Sequence, residues 1–238
     1  MKVKIIGSGS MWNAHNSASY MIDDDILVDM PNGMCKYLFG LNINPMNINN
    51  VLITHFHGDH FFDMPFYLLL KARAKNRLVN IYCYKKGRKK IRKLFKLAFP
   101  LSMENVENSI NLNYYHMNSF KVNNYSVNRV LVDHGRFKPA YGYIFEKGGI
   151  KFGFTGDTSY CACVENMASE CSYLFCDCMF IKGTNKHMGI DNLKELSQKY
   201  EHCKFIVSHM EDITREELKR TKIRNIIVPD DGDVIEIK

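Results

Sequence analysis

The chain has 238 residues, of which 46% are hydrophobic and 24% are charged, and its formal net charge is +7. This length and apolar content allow a large buried core, arranged as one large domain or two small ones. No apolar stretch approaches the roughly 20 residues that a membrane-spanning helix requires, so we expect no membrane association. The positive charge is weak evidence for a polyanionic partner. The chain is rich in Lys, Asn and Ile, and such a composition gives a positive charge even when no such partner exists.

The start of the chain reads as a strand rather than as a targeting segment. Residues 1–7 contain too short an apolar run for a signal peptide and lead directly into a glycine turn. We therefore predict a cytoplasmic protein. In a reducing cytoplasm the eight cysteines are expected to be free thiols.

Apolar strand-like runs alternate with turns and amphipathic segments along the chain. In the first half we predict a short helix within 31–41, helices at 63–74 and 86–99, and strands at 3–6, 19–22, 26–29, 51–54 and 78–84. In the second half we predict helices at 191–199 and 215–220, and strands at 126–132, 141–146, 151–155, 204–208, 225–228 and 234–237. Strands interspersed with helices in this way predict an α/β layered fold.

A cluster of potential metal ligands follows the strand predicted at 51–54. The six residues from His55 to His60 read His-Phe-His-Gly-Asp-His. In extended backbone alternate side chains share a face, so His55, His57 and Asp59 are expected to converge while His60 points elsewhere. This arrangement suits two adjacent metals better than one, and its ligands suit zinc, manganese or iron. A histidine-rich surface loop without metal is the alternative, and the preceding buried-type strand argues against it.

Three further candidate ligands share one context, a polar side chain at the carboxyl end of an apolar strand. They are His134, Asp157 and His209. In open sheets, binding and catalytic residues are found at the carboxyl ends of the strands. Gly135 and Gly156 allow tight turns beside two of the candidates. Each residue alone is better read as structural. Together with the cluster before them, the three favour a metal centre.

With these residues in view, the chain resembles the metallo-β-lactamase superfamily of binuclear metallohydrolases. The family motif His-x-His-x-Asp-His stands at 55–60, and the later ligands follow in the family's order. The resemblance covers nearly the whole chain. It implies an α/β fold, an αββα sandwich of two mixed β-sheets flanked by helices, formed as a single hydrolase domain over residues 1–238 with the metals at one edge.

The same resemblance assigns a role to each candidate ligand. Two divalent metal ions are implied, expected to be zinc, with manganese or iron as alternatives. Asp59 counts among the catalytic residues as well as the ligands, and Asp29 would hydrogen-bond a ligand imidazole. The implied ligands are His55, His57 and His134 for the first metal, Asp59, His60 and His209 for the second, and Asp157 as the bridge between them.

Two segments, 141–143 (Tyr-Gly-Tyr) and 155–158 (Thr-Gly-Asp-Thr), resemble the ribonuclease Z branch and its relatives, the small cyclic phosphodiesterases. By that resemblance His187 would donate a proton to the leaving group and Asp177 would orient it. The sequence around Asp177 differs from that of the ribonuclease Z branch, because it lacks the His-Glu-Ala-Thr string that is usual there. The 22 residues between the His134 and Asp157 positions also leave no room for a tRNA-gripping arm.

We therefore predict a binuclear-metal-dependent phosphodiesterase that acts on a nucleotide, a cyclic phosphate or a short nucleic acid through a metal-bound hydroxide. Two cations lower the pKa of a shared water and neutralise charge in the transition state. One alternative is hydrolysis of a lactone, a thioester or another carbonyl substrate on the same metals. Another is a nucleic-acid-binding protein with a vestigial site, which the intact ligand set argues against.

A basic segment is the second notable feature of the sequence. Residues 64–103 contain no Asp or Glu but twelve Lys and Arg residues, most of them between Lys85 and Lys96. One-sided positive charge attracts polyanions, so this segment could bind nucleic acid. The resemblance places its helix at the periphery, and a plain solvated helix face is the alternative. The oligomeric state is left open, with a homodimer as one option.

Overall fold

The computed structural model describes all residues, 1–238, and contains two seven-stranded mixed β-sheets. Strands are numbered in chain order. The first sheet has the order β14-β1-β2-β3-β4-β5-β6. Its strands are β1 (Lys2–Gly7), β2 (Ser19–Ile22), β3 (Ile26–Val28), β4 (Asn50–Leu52), β5 (Leu78–Tyr82), β6 (Asn111–Tyr115) and β14 (Val234–Glu236).

The second sheet has the order β13-β12-β11-β10-β9-β8-β7. Strands β10 to β13 are parallel to one another, as are β3 to β6 in the first sheet. The strands of the second sheet are β7 (Ser119–Val122), β8 (Tyr125–Val132), β9 (Ala140–Lys147), β10 (Ile150–Phe154), β11 (Tyr173–Asp177), β12 (Lys204–Ser208) and β13 (Ile226–Ile227).

Eight α-helices and one short 3-10 helix, Pro45–Asn47, connect the strands. None of them is both long and apolar enough to cross a membrane. The α-helices are α1 (Met34–Gly40), α2 (Gly58–Phe61), α3 (Met64–Arg73), α4 (Gly87–Ala98), α5 (Met103–Ser109), α6 (Ala162–Glu170), α7 (Ile190–Lys199) and α8 (Asp212–Thr221).

Three apolar cores give the molecule four layers. Between the sheets, side chains such as Val28 and Leu52 pack against Phe145 and Phe175. A second core joins the outer face of the first sheet to α1, α3, α4 and α5, and a third joins the outer face of the second sheet to α6, α7 and α8. The αββα sandwich expected from the sequence is confirmed.

Strand β4 is buried along its whole length because both of its faces are covered. Val51 faces the helical layer and Leu52 faces the second sheet. A parallel strand covered in this way reads as a continuous apolar run. The run therefore predicted correctly that the histidine cluster following it begins inside the molecule rather than on a surface loop.

The cysteines differ in part from the expectation. Six are buried free thiols. Cys161 and Cys163, however, form a disulfide across one intervening residue at the start of α6. The prediction that all eight are free is therefore wrong for this pair, because the turn into α6 brings two thiols together that the spacing alone did not pair.

Candidate metal centre

The seven side chains predicted as ligands all lie at one edge of the sandwich, where strands of both sheets reach their carboxyl ends. His55 follows β4, His134 follows β8, Asp157 follows β10 and His209 follows β12. All four of these side chains are buried. The topology thus brings together residues that lie far apart in the sequence.

The motif itself is bent rather than extended. Helix α2 begins at Gly58, and His57 lies at its N-cap position. Asp59 and His60 are therefore on a helical turn, and they group with His209, whereas His55 and His57 group with other partners. The expectation that Asp59 shares a face with His55 and His57 is wrong, because it assumed extended backbone through the glycine.

The first group of ligand atoms surrounds His57. Its Nδ1 lies 3.0 Å from His55 Nε2 and 3.2 Å from His134 Nε2. Behind the cluster, His134 Nδ1 donates a hydrogen bond to the Lys186 carbonyl at 2.9 Å. This bond fixes the ring orientation and leaves Nε2 free of a proton, the form in which histidine binds metal.

The second group contains Asp59, His60 and His209. Asp59 Oδ2 lies 3.4 Å from His209 Nε2 and 3.7 Å from His60 Nε2. On its far side, His60 Nδ1 donates to Asp29 Oδ2 at 2.8 Å. Asp29 also accepts from the backbone N–H of Thr54 at 2.8 Å and from its hydroxyl at 2.7 Å. The predicted hydrogen bond from a cluster imidazole to Asp29 is present.

Asp157 lies between the two groups. Its Oδ2 is 3.6 Å from His55 Nε2 and 3.3 Å from His209 Nε2, and its Oδ1 is 3.4 Å from His60 Nε2. The preceding Gly156 has φ +61°, and a Cβ there would lie 2.9 Å from the Thr54 Cβ. Only glycine fits this close, left-handed turn, which presents the Asp157 carboxylate to both groups.

His187 and Asp177 lie next to the second group. His187 Nδ1 is 2.9 Å from Asp177 Oδ2, and the Asp177 carboxylate is buried. Burial lowers the pKa of His187, but the Asp177 charge and hydrogen bond outweigh it, so this pKa lies above its usual value. A ligand atom of His187 also lies within 4.8 Å of those of Asp157 and His209. The structure thus brings both predicted residues to the cluster.

The donor set fits divalent metal ions. The buried Nε2 of His60 has no hydrogen-bond partner, although carboxylate oxygens surround it. In the first group burial lowers the pKa of His55, His57 and His134, that of His57 to about 4. In the second group burial is outweighed by nearby carboxylates, chiefly Asp157, which raise the pKa of His60 and bring that of His209 to about 9. Although burial also raises the pKa of Asp157, the charges of His209 and His60 hold it well below its usual range. The first group therefore already has the neutral imidazoles that metal binding requires, whereas in the second group a metal ion would displace protons from His60 and His209 beside the ionised Asp157.

Two residues that the sequence did not single out as part of the site lie beside the cluster. Phe137 contacts His57, and Lys90 contacts Phe137. The Phe137 ring packs against the His57 imidazole, with ring centroids 3.8 Å apart and the two planes tilted by 47°. The Lys90 ammonium of α4 lies 5.2 Å from the centre of the Phe137 ring. Helical periodicity identified the apolar face of α4 but gave no signal for which polar side chain turns toward the histidines.

Comparisons with known proteins identify a family, several relatives and several structures with the same fold. The family model described as Anti-Pycsar protein Apyc1 matches residues 1–229. Ribonuclease Z of Methanococcus maripaludis strain S2 is 34% identical over 88 residues, which are 34% of this chain and 29% of that protein. The enzyme of strain C7 is 27% identical over 136 residues, covering 50% and 44% of the two chains. The matches therefore span less than half the length of these curated relatives.

Solved structures match over almost the whole chain. A diphosphatase of the PhnP family superposes with a TM-score of 0.77 at 19% identity, covering 100% of this chain and 98% of the other. The short form of human tRNase Z gives 0.74 at 17% identity, covering 100% of both. YhfI of Bacillus subtilis, a metallo-β-lactamase fold protein, gives 0.79 at 17% identity and covers 98% of both.

The fold class is that of the metallo-β-lactamase fold proteins, as the sequence indicated, and the curated relatives matched over part of their length are named ribonuclease Z. Within that class the protein belongs to the family of the anti-Pycsar protein Apyc1.

Proposed function

We propose that this protein is a phosphodiesterase that uses two divalent metal ions to hydrolyse a nucleotide, a cyclic phosphate or a short nucleic acid. The observation that carries the proposal is the position of Asp157, whose carboxylate lies within 3.6 Å of His55 in the first group of ligand atoms and of His60 and His209 in the second. Relatives and neighbours named ribonuclease Z, tRNase Z and diphosphatase support a phosphate substrate.

The residues divide into two metal sites that share one carboxylate. When bound, two divalent cations lower the pKa of a water between them and stabilise negative charge on the phosphoryl oxygens. Nitrogen and carboxylate ligands favour zinc, with manganese or iron as alternatives. One site comprises His55, His57, His134 and Asp157, and the other comprises Asp59, His60, His209 and Asp157.

Hydrogen bonds behind the ligands fix the position of one proposed metal site relative to the other. Asp29 binds the rear nitrogen of His60 and the backbone of Thr54, and Thr54 directly precedes His55. Movement of either ligand group therefore strains the same carboxylate. Such supporting hydrogen bonds tune metal affinity as well as ligand orientation.

In this proposal one carboxylate accepts a proton, one imidazole donates a proton, and a second carboxylate orients that imidazole. Asp59, whose Oδ2 lies 3.4 Å from His209 Nε2, would accept a proton of the attacking water at a carboxylate oxygen. Asp177 holds Nδ1 of His187, which leaves Nε2 of that ring to protonate the departing alkoxide. An imidazole suits this task because its usual pKa lies near neutral pH.

The substrate is proposed to be smaller than a tRNA precursor. Between His134 and Asp157 the chain forms only β9, a turn and β10. No projecting arm is present in this interval to grip a folded RNA. The proposal therefore favours a nucleotide, a cyclic phosphate or a short nucleic acid.

Turnover of bis(p-nitrophenyl) phosphate by the zinc- or manganese-loaded protein tests the proposal. Asp157→Asn is expected to lower kcat/KM at least about a thousandfold, because the bridging charge is lost. Asp212→Asn, at an exposed position, is the matched control and is expected to leave turnover unchanged. Lactone turnover without phosphodiester turnover would favour the carbonyl alternative and overturn the proposal.

A further inference from the structure

The ammonium group of Lys90 lies against three aromatic rings. Its Nζ is 5.4 Å from the ring centre of Phe56, 5.8 Å from that of Tyr84 and 5.2 Å from that of Phe137. Such distances are typical of cation–π contacts. Burial is the only influence that shifts the pKa of Lys90, since no acidic group acts on it. The charge is thus held in place without a carboxylate partner.

One ring connects this charge to the candidate metal centre. Phe137 contacts both the Lys90 ammonium, at 5.2 Å, and the His57 ring, at a centroid distance of 3.8 Å. Lys90, Phe137 and His57 are all partly exposed, so they form a continuous rim that a ligand can reach. The charge therefore lies at the entrance of the site, not on a remote surface.

The start of α4 is packed directly onto the histidine motif. A Cβ at Gly87 would lie 2.6 Å from the Phe56 ring and 2.6 Å from the Cys83 sulfur, so only glycine permits this approach. Phe56 lies between His55 and His57 in the chain. The expectation that the basic helix is peripheral is therefore wrong for its first turn, which contacts the motif itself.

The other basic residues of α4 are placed differently. Lys89, Lys93 and Lys96 are exposed to solvent, and so is Arg88, which lies 5.6 Å from the Tyr114 ring on another side of the helix from the histidine motif. Arg92 is paired with Glu107, its Nη1 lying 2.6 Å from Oε2. Among these residues only Lys90 combines partial burial, aromatic support and a position beside the histidines. A partly desolvated ammonium without a counter-ion binds an anionic oxygen more strongly than a solvated one does.

We propose that Lys90 is a substrate-binding residue whose ammonium binds an anionic phosphate oxygen of a nucleotide at the rim of the metal centre. The proposal rests on the phosphodiesterase function proposed above and specifies how its substrate is held. The three rings fix the ammonium, and the phosphate supplies the charge partner that the protein lacks. Because this contact forms in the ground state and persists in the transition state, it lowers KM without raising kcat.

The kinetic test compares three variants with adenosine 3′,5′-cyclic phosphate and bis(p-nitrophenyl) phosphate as substrates. Lys90→Gln is expected to raise KM about tenfold with kcat within about twofold, the effect of one charged hydrogen bond. Lys90→Arg is expected to restore most of the affinity. Lys89→Gln, one residue earlier and exposed, is the matched control and is expected to behave as the wild type. An unchanged KM in Lys90→Gln overturns the proposal.

A binding measurement separates failure of this inference from failure of the proposed function. Calorimetric titration with adenosine 5′-monophosphate requires no turnover. If no phosphodiester is hydrolysed but the nucleotide binds about tenfold more weakly to Lys90→Gln, the role of Lys90 stands and the catalytic proposal falls. Equal affinity in both proteins, absence of binding to the wild type, or an equal loss in Lys89→Gln contradicts the role of Lys90.

Discussion

Asp177 binds His187 from inside the protein: its buried Oδ2 accepts a hydrogen bond from His187 Nδ1 at 2.9 Å. The backbone N–H of Thr158 donates to the same oxygen at 3.0 Å. The other carboxylate oxygen lies 3.8 Å from Nδ1 of the cluster residue His209. One buried carboxylate therefore orients the proposed proton donor and places its negative charge beside His209 of the second ligand group.

The first prediction concerns this proton donor. His187→Ala is expected to lower kcat about a hundredfold or more for a phosphodiester with an alkyl leaving group. The loss should be much smaller for bis(p-nitrophenyl) phosphate, because p-nitrophenolate leaves without protonation. Steady-state kinetics on the two substrates measure the difference, and equal losses on both would contradict the proton-donor role.

A double-mutant cycle tests the link between the two residues. Asp177→Asn is expected to reduce kcat through His187, so adding it to His187→Ala should cost little more. Fully additive losses would show that Asp177 acts elsewhere. Its contact with His209 makes metal content a necessary control, measured on each variant before the kinetics.

A further prediction concerns Asp29, which supports His60 and Thr54 from behind. Asp29→Asn is expected to weaken metal binding about 10- to 100-fold, because the ring loses its charged hydrogen-bond acceptor. Competition with a chromogenic zinc chelator measures this affinity. Asp24→Asn, at an exposed turn position, is the matched control. Unchanged affinity in Asp29→Asn would show that the supporting hydrogen bond is dispensable.

Gly156→Ala provides a test of the turn that presents Asp157. Gly148 has a similar backbone, φ +62° against +61°, but a Cβ there meets nothing within 4 Å. Gly148→Ala is therefore expected to cost about 1–2 kcal/mol of unfolding free energy from backbone strain alone. Gly156→Ala should cost more, because the new methyl also meets Thr54 and the Tyr141 carbonyl. Urea unfolding of both variants gives the comparison, and equal costs would contradict the close packing.

Metal removal is expected to destabilise the protein. Any ligand that binds only the folded state adds stability, about 4 kcal/mol when its concentration is a thousand times its Kd. The melting temperature should therefore fall after dialysis against a chelator and recover when zinc or manganese is added. In Asp157→Asn the recovery should be smaller. A melting temperature insensitive to the chelator would contradict a metal-holding role for the cluster.

The convergence of the candidate ligands could be predicted because the placement of each depends on local sequence. An apolar strand that ends in His134, Asp157 or His209 places its last side chain at the edge of a sheet, whatever the neighbouring strands are. The separation of Asp59 from His55 could not be predicted in the same way. Gly58 allows both an extended turn and a helix start, and the choice depends on packing around α2.

Elements whose apolar pattern is weak were not predicted. Strand β6, Asn111–Tyr115, is rich in asparagine and is held by parallel pairing with β5 rather than by its own propensity. Helix α6, Ala162–Glu170, spans only nine residues and packs through Val164 and Met167. The position of Lys90 depends on tertiary packing too, although Gly87 is a sequence signal that α4 closely approaches another element.

Phosphodiesterase activity titrated against bound metal tests the central claim most directly. The metal-free protein is loaded with increasing zinc, and turnover of bis(p-nitrophenyl) phosphate is measured at each ratio. A binuclear centre bridged by Asp157 predicts that activity rises to a plateau at two equivalents per chain. A plateau at one equivalent, or the absence of phosphodiester turnover at every loading, would contradict it.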